Sequence, residues 1–300
     1  MYKGENKTIF WSKFYMITRK VLVYSVLIAL SILCLFTLYI LIANSTRSHA
    51  TLIHPIKGSQ PIFGSSFAKN FSGIWTSNFQ LKYGGGTSLI RAMANSLIVA
   101  VGATVCCVYF STVTAYAIHM YRFKLRNAAF TFILVIMMIP TQVSTTGLIR
   151  MIYDLKWNNH FFPLILPSIA APVTFFYIKQ YMESVLPFEM VEAARVDGAG
   201  ELRIFHQIVL PVMKPALAVQ IIFAFVASWN NYFIPQLILQ SPDKRTLPIV
   251  IAGLYSASDG SKDYGLIYMA IFISIIPLTI VYFAFSRFIM KGLTLGAVKG

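Results

Sequence analysis

Six stretches of this 300-residue sequence, 21–43, 96–119, 129–150, 161–181, 215–239 and 268–289, are each long and apolar enough to cross a lipid bilayer as a helix. A hydrocarbon core of about 30 Å takes about 20 helical residues at about 1.5 Å each. A spanning backbone has no water to bond to and must satisfy its own polar groups, so helices are the expected form throughout. Composition agrees: 57% of the residues are hydrophobic and 12% charged, with mean hydropathy +0.68. A soluble chain of this size carries about twice that share of charge. Prolines interrupt several stretches: Pro140 the third, Pro163, Pro167 and Pro172 the fourth, Pro235 the fifth and Pro277 the sixth. Kinks are expected there, with neighbouring helices or a wet cavity taking up the freed carbonyls.

The net charge of +15 invites a nucleic-acid reading, but the bases lie between apolar runs, where lipid headgroups and topology account for them. Lys3, Lys7, Lys13, Arg19 and Lys20 precede the first stretch, and Arg122, Lys124 and Arg126 follow the second. Together with the loop after the fourth stretch and the C-terminus, they make one side richer in Lys and Arg. That places both termini in the cytoplasm. The expected organisation is a cytoplasmic lead at 1–20, a first transmembrane helix at 21–43, an extracytoplasmic loop at 44–90, a core domain at 91–290 and a cytoplasmic tail at 291–300. The lead resembles the start of a signal peptide, but 21–43 is the length of a full span, so a retained helix is expected.

Cys34, Cys106 and Cys107 all fall inside apolar runs, with neither a CxxC pair nor a Cys/His cluster. They read as small packing or lipid-facing residues. Asn44-Ser45-Thr46 and Asn70-Phe71-Ser72 match a glycosylation tripeptide that is common by chance. No phosphate loop of the GxxxxGK[ST] kind, nucleophile elbow or metal cluster occurs, so no catalytic or metal site is expected in this chain. Ionisable groups are nearly absent within the stretches, His119 and Lys179 lying near their ends, which argues against an ion-coupled carrier.

The segment between the fourth and fifth stretches does not read as a linker. Pro187 suits a helix start, and Phe188, Val191, Ala194 and Arg195 share one helical stripe. Gly198 after Asp197 is a stop signal. A second helix is expected from about 201 to 210, ended by Pro211 and Pro215, with Leu202, Phe205, Ile208 and Val209 on one side. Two alternatives stand: a helix that docks a partner protein through its low alanine surface, or an amphipathic helix lying on lipid. Glu189, Glu192, Asp197 and Glu201 weigh against the second, since anionic headgroups repel them.

The run Glu192-Ala193-Ala194-x-x-Asp197-Gly198-Ala199, followed by Phe205 and Leu210-Pro211, resembles the EAA loop of binding-protein-dependent ABC importer permeases. The ending Lys291-Gly292-Leu293-Thr294-Leu295-Gly296-Ala297-Val298-Lys299-Gly300 is similar to the tail of the smaller permease of the maltose-transporter type. Asn95-Ser96, Thr114-Ala115-Tyr116-Ala117 and Trp229-Asn230-Asn231 with Pro235 also match. The likeness runs from about Ala94 to the C-terminus; the first external loop is longer and more polar.

The resemblance implies an all-α membrane protein with the six-helix type I importer fold. It implies the permease subunit of a di- or oligosaccharide importer, working with a second permease, a dimer of ATPase subunits and an extracytoplasmic sugar-binding protein. ATP and magnesium would sit on the ATPase. Glu192, Ala193, Ala194, Asp197, Gly198 and Ala199, in an EAA loop at 184–212, would form the ATPase-docking surface. Gly296, Ala297, Val298, Lys299 and Gly300 would run along the ATPase interface in extended form. Thr141, Gln142, Ser144 and Thr145 beyond Pro140, and Trp229, Asn230, Asn231, Tyr232 and Gln236, are candidates for the substrate path. Hydrogen bonding between packed spans accounts for them equally well. The competing reading is a stand-alone carrier or channel for small polar solutes.

Overall fold

The computed structural model describes residues 3–58, 60–76, 79, 85–256 and 262–297. Every regular element among them is helical. The chain forms two units: residues 1–73 with 263–272, and residues 74–262 with 273–300.

The first unit opens with α1 (Lys3–Ser45), which is helical well before the expected start at 21. From Tyr15 to Tyr39 its large apolar side chains lie open, as suits a helix facing lipid. Three short helices follow, α2 (His49–Leu52), α3 (Pro55–Gly58) and α4 (Phe67–Gly73). Buried Arg47 donates to Asn44 Oδ1 at 3.1 Å and to the carbonyls of Lys57 and Gly58. Asn70, part of a chance glycosylation tripeptide, is buried and donates to the carbonyls of Ser45 and Arg47, each at 2.8 Å.

The second unit is built on α5 (Leu89–Met120). The Ser88 hydroxyl caps it by accepting the Arg91 N–H at 3.2 Å. One face recurs at helical spacing with small residues: Ala92, Ser96, Ala100, Ala103, Thr104, Cys107, Ser111, Thr112 and Ala115 are all buried. The opposite face carries Ile98, Val101 and Val105, all exposed. Thr104 and Thr112 return their hydroxyls to the carbonyls of Ala100 and Val108, each at 2.6 Å. The small face therefore offers close approach without stranded donors.

Against that face pack α9 (Pro172–Val185) and α12 (Leu210–Trp229). Ahead of α9, α8 (Phe162–Ile165) and a 3-10 turn, Leu166–Ile169, also lie on α5. A Cβ added at Gly102 would come within 2.9 Å of Ile165 Cδ1, so α8 and α5 meet closely there. Between the 3-10 turn and α9, Ala170 and Ala171 leave helical geometry ahead of Pro172. The Ala171 carbonyl, which takes the Phe175 N–H at 2.9 Å as the first bond of α9, also accepts the Ser111 hydroxyl at 3.5 Å. Cys107 is buried and donates to Thr174 Oγ1 at 3.3 Å, a packing role.

The expected third span is two helices, α6 (Arg126–Ile136) and α7 (Thr141–Asp154). Pro140 lacks an N–H, its ring crowds the carbonyl four residues back, and it disfavours helix at Ile139. Five helices among the described residues are long and apolar enough to cross a membrane: 15–45, 89–120, 162–185, 201–229 and 264–288.

The fifth span departs from its expected limits. A short α10 (Phe188–Val196) is followed by α11 (Glu201–Ile204), a π turn at Phe205–Val209 and then α12 without a break. Pro211 and Pro215 do not end the helix; they lie inside it. At the π turn the Leu210 N–H bonds the Phe205 carbonyl, five residues back. That wider turn makes room for the Pro211 ring where a regular α-helix would clash. The helix stops instead at Trp229, and α13 (Phe233–Ile238) follows. A 3-10 turn at Pro242–Lys244, α14 (Leu247–Ser256) and α15 (Tyr264–Ala297) complete the chain. Because α15 continues to Ala297, the start of the expected extended tail is helical; Val298, Lys299 and Gly300 lie outside the described residues.

The start of α5 holds the segment ahead of α14. The Asn95 amide donates to the carbonyls of Asp243 and Arg245, each at 2.9 Å, and Ser96 Oγ accepts the Leu247 N–H at 2.8 Å. Asn95→Ala leaves two carbonyls unserved and costs about 2 kcal/mol. Hydrogen exchange at residues 243–247 is expected to accelerate in that variant, while exchange at the middle of α5 stays as it was.

Candidate functional site

The corner between α10 and α11 is fixed from three sides. On the inner side, Val191 and Ala194 are buried among Met182, Leu186, Ile204 and Phe205. At the start of α10, His119 near the end of α5 bonds the Leu186 carbonyl through Nε2 at 3.0 Å and stacks on Phe188 at 5.0 Å. At its end, the Gly198 N–H donates to the Arg195 carbonyl and the Ala199 N–H to the Ala194 carbonyl, both at 3.0 Å. This is a Schellman stop, and Gly198 supplies the positive φ of +78° that it requires.

A polar clasp closes the corner. Arg195 Nε donates to Glu201 Oε1 at 2.7 Å, and the Tyr116 hydroxyl of α5 donates to Glu201 Oε2 at 2.9 Å. The Arg195 guanidinium lies over the Tyr121 ring at 5.4 Å. Its hydrogen bond to Glu201 holds the Arg195 guanidinium above its ordinary range. Burial and the neighbouring Glu201 carboxylate push the Tyr121 phenol up.

What the corner presents outward is small, apolar and acidic. Glu192, Ala193, Asp197 and Gly198 are exposed, and nothing lies within 4 Å of a Cβ added at Gly198. Ala199 is half-buried. Ala194 is 8% exposed and points into the core, so it does not belong to the outer surface on which the sequence reading placed it. Two residues join that surface: Val196, 87% exposed, and Leu202, 76% exposed. Leu202 was expected on the same side as Phe205 and Val209, which are buried.

The second feature is a cleft of about 540 Å3 between α5, α9 and α12. Thr174, Tyr177, Gln220, Phe223, Ser228 and Asn231 line it. Of the path candidates whose side chains are described, only Asn231 reaches it. Trp229 is buried, donates from Nε1 to the Ser274 carbonyl at 3.2 Å and stacks on Phe225, so it packs the bundle. Asn230, Tyr232 and Gln236 are exposed and are not part of the lining, and neither are Ser144 and Thr145. The side chains of Thr141, Gln142 and Ala297 lie outside the described residues. Gln220 was missed, although it is the one polar side chain from 215 to 227. A further cavity of about 340 Å3 has apolar walls, including Val105, Leu217 and Phe225. Among the described residues, no group of three His, Cys, Asp or Glu is placed to hold a metal ion.

Residues 107–294 match the profile of the binding-protein-dependent transport system inner membrane component. The chain is 32% identical to the arabinooligosaccharides transport system permease protein AraQ of Bacillus subtilis (strain 168), over 90% of this chain and 92% of that one. It is 30% identical to the sn-glycerol-3-phosphate transport system permease protein UgpE of Salmonella typhi, over 86% and 90%. A crystal structure of a bacterial ABC transporter involved in the import of the acidic polysaccharide alginate superposes with a TM-score of 0.70 at 21% identity. That match covers 96% of this chain and 98% of that one, and it supports the type I importer fold.

The opposite orientations of two adjacent alanines give a direct check. Ala194→Leu overfills the core under α10 and is expected to destabilise by about 1–3 kcal/mol. Ala193→Leu, on the open side, is expected to stay within about 0.5 kcal/mol. Thermal unfolding of the detergent-purified chain compares them.

Proposed function

The chain belongs to the family of binding-protein-dependent transport system inner membrane components, and on that premise we propose that it is the permease subunit of an ATP-driven sugar importer. The carrying observation is the α10–α11 corner: an exposed surface of Glu192, Ala193, Val196, Asp197 and Gly198 held rigidly on the transmembrane bundle by buried packing and the Arg195–Glu201–Tyr116 clasp. A separate ATPase dimer, carrying ATP and magnesium, docks there. Small residues permit close approach, Glu192 pairs with a base on the partner, and Val196 and Leu202 bury apolar area.

The corner continues directly into α9 on one side and α12 on the other, and both pack on α5 and line the cleft. ATP-driven movement of the ATPase therefore has a stiff route to the cleft walls. The cleft, closed by a second homologous permease, forms the translocation path, and an extracytoplasmic binding protein delivers the sugar. The cargo class follows the relative named for arabino-oligosaccharides and the resemblance of the C-terminal segment. The distribution of Lys and Arg supports cytoplasmic termini. On this reading, α6 and α7 together make a sixth crossing, kinked at Pro140.

Co-purification of the tagged chain with its ATPase and partner permease tests this. The wild type is expected to bring the ATPase down. Gly198→Pro, which is incompatible with a φ of +78°, and Glu192→Lys are expected to lose it by tenfold or more. A wild-type chain that purifies alone and transports without an ATPase contradicts the reading in favour of a stand-alone carrier.

A further inference from the structure

We propose that this chain itself holds the sugar, through a subsite centred on Gln220, rather than serving only as a wall opposite its partner permease. The inference rests on the importer reading above and adds to it the residues that bind the cargo and the charge class of that cargo.

Gln220 lies midway along the 20 residues of α12. It is ten residues after Leu210 and nine before Trp229, which places it near the middle of the apolar span. Its side chain is 7% exposed and lines the cleft. Neither atom of its side-chain amide has a hydrogen-bond partner among the described residues. Its carboxamide, with two donor hydrogens and an acceptor oxygen, opens to the cleft and is available to a polar solute there. In a membrane helix such a group faces the bundle interior or a wet path, and it marks the route of a polar solute.

The surroundings fit that solute to a sugar. Phe223, one turn along the same helix, and Asn231, two residues past its end, share the cleft with Gln220, and Ser228 lies between them. Thr174 and Tyr177 face them from α9, one turn apart. The Thr174 oxygen accepts from Cys107, which leaves its own hydroxyl hydrogen to donate. Hydroxyls and amides with unused hydrogen-bonding capacity, beside two aromatic rings, are complementary to a pyranose or furanose with its hydroxyl edge and apolar face. No charged side chain is part of the described lining. A phosphorylated cargo calls for a cation in such a site, so the lining selects a neutral sugar. The break at Ala170–Ala171 opens α9 at the same wall and brings irregular backbone to the cleft, as membrane transport sites do.

The test uses the assembled transporter in nanodiscs without its binding protein, and equilibrium dialysis of a radiolabelled neutral arabino-oligosaccharide. Gln220→Leu keeps the bulk and removes the amide; it is expected to weaken binding tenfold or more, and Gln220→Asn by less. Thr174→Val, which removes one hydroxyl, is expected to weaken it about threefold and carries the comparison if Gln220→Leu does not assemble. Unlabelled sn-glycerol 3-phosphate is expected not to compete. Equal binding by wild type, Gln220→Leu and Thr174→Val overturns the inference and leaves the importer reading intact, because assembly with the ATPase is scored separately. Competition by sn-glycerol 3-phosphate overturns the neutral-sugar assignment. Failure of the wild type to assemble with any ATPase fails the importer reading first, and the inference with it.

Discussion

The close packing of other helices on the small-residue face of α5 is the constraint on which the second unit depends. In lipid there is no hydrophobic gain in bringing two apolar helices together, so association relies on van der Waals contact at short range and on hydrogen bonds between helices. Alanine, serine, threonine and cysteine along one side of α5 permit that approach, and the threonine hydroxyls are returned to the helix's own carbonyls. The large apolar side chains are left to the opposite face, where lipid is the solvent. Both α9 and α12 pack on α5, so one helix fixes the two that lead to the corner and line the cleft.

The corner gets its position and its direction from different forces. Burial of Val191, Ala194, Ile204 and Phe205 sets where α10 and α11 sit, at roughly 1.5–3 kcal/mol for each large side chain. The Arg195–Glu201 pair is partly exposed, and a pair of that kind is worth at most about 1 kcal/mol. Its geometric consequence is larger than its energy. The Glu201 carboxylate is shared between Arg195 of α10 and Tyr116 of α5, so a rotation of α10 about its own axis is resisted by the central helix of the bundle. The π turn just beyond, at residues 205–209, is packed by Tyr109, whose ring meets Phe205 edge-on at 5.9 Å. The chain from corner to cleft is therefore packed along its length.

Much of this was legible in the residues because apolar runs near 20 residues have one physical meaning in a chain so poor in charge. The proline break at 140, the ordered corner and the stop at Gly198 followed from local chemistry. Pro211 and Pro215 misled, because a proline in sequence reads as a helix end, whereas a π turn just upstream lets the helix pass; such a turn has no composition of its own. Ala193 and Ala194 differ only in helical phase, and the phase depends on tertiary packing against Met182 and Leu186. Trp229 drew attention through its motif, yet its indole N–H is spent on the Ser274 carbonyl. Gln220 had the better signal, a single amide in a long apolar run, because a polar side chain in a membrane helix turns toward the bundle interior or a wet cleft and not toward lipid.

The central claim is that the outward side of the α10–α11 corner is the face that meets the ATPase. Site-specific cross-linking in the assembled transporter tests it most directly, with single cysteines introduced as Ala193→Cys, Val196→Cys and Ala194→Cys and a short thiol-to-amine reagent. The account predicts covalent products with the ATPase from positions 193 and 196 and none from position 194, whose side chain is turned into the core. Equal cross-linking from all three positions, or products from position 194 alone, would contradict it.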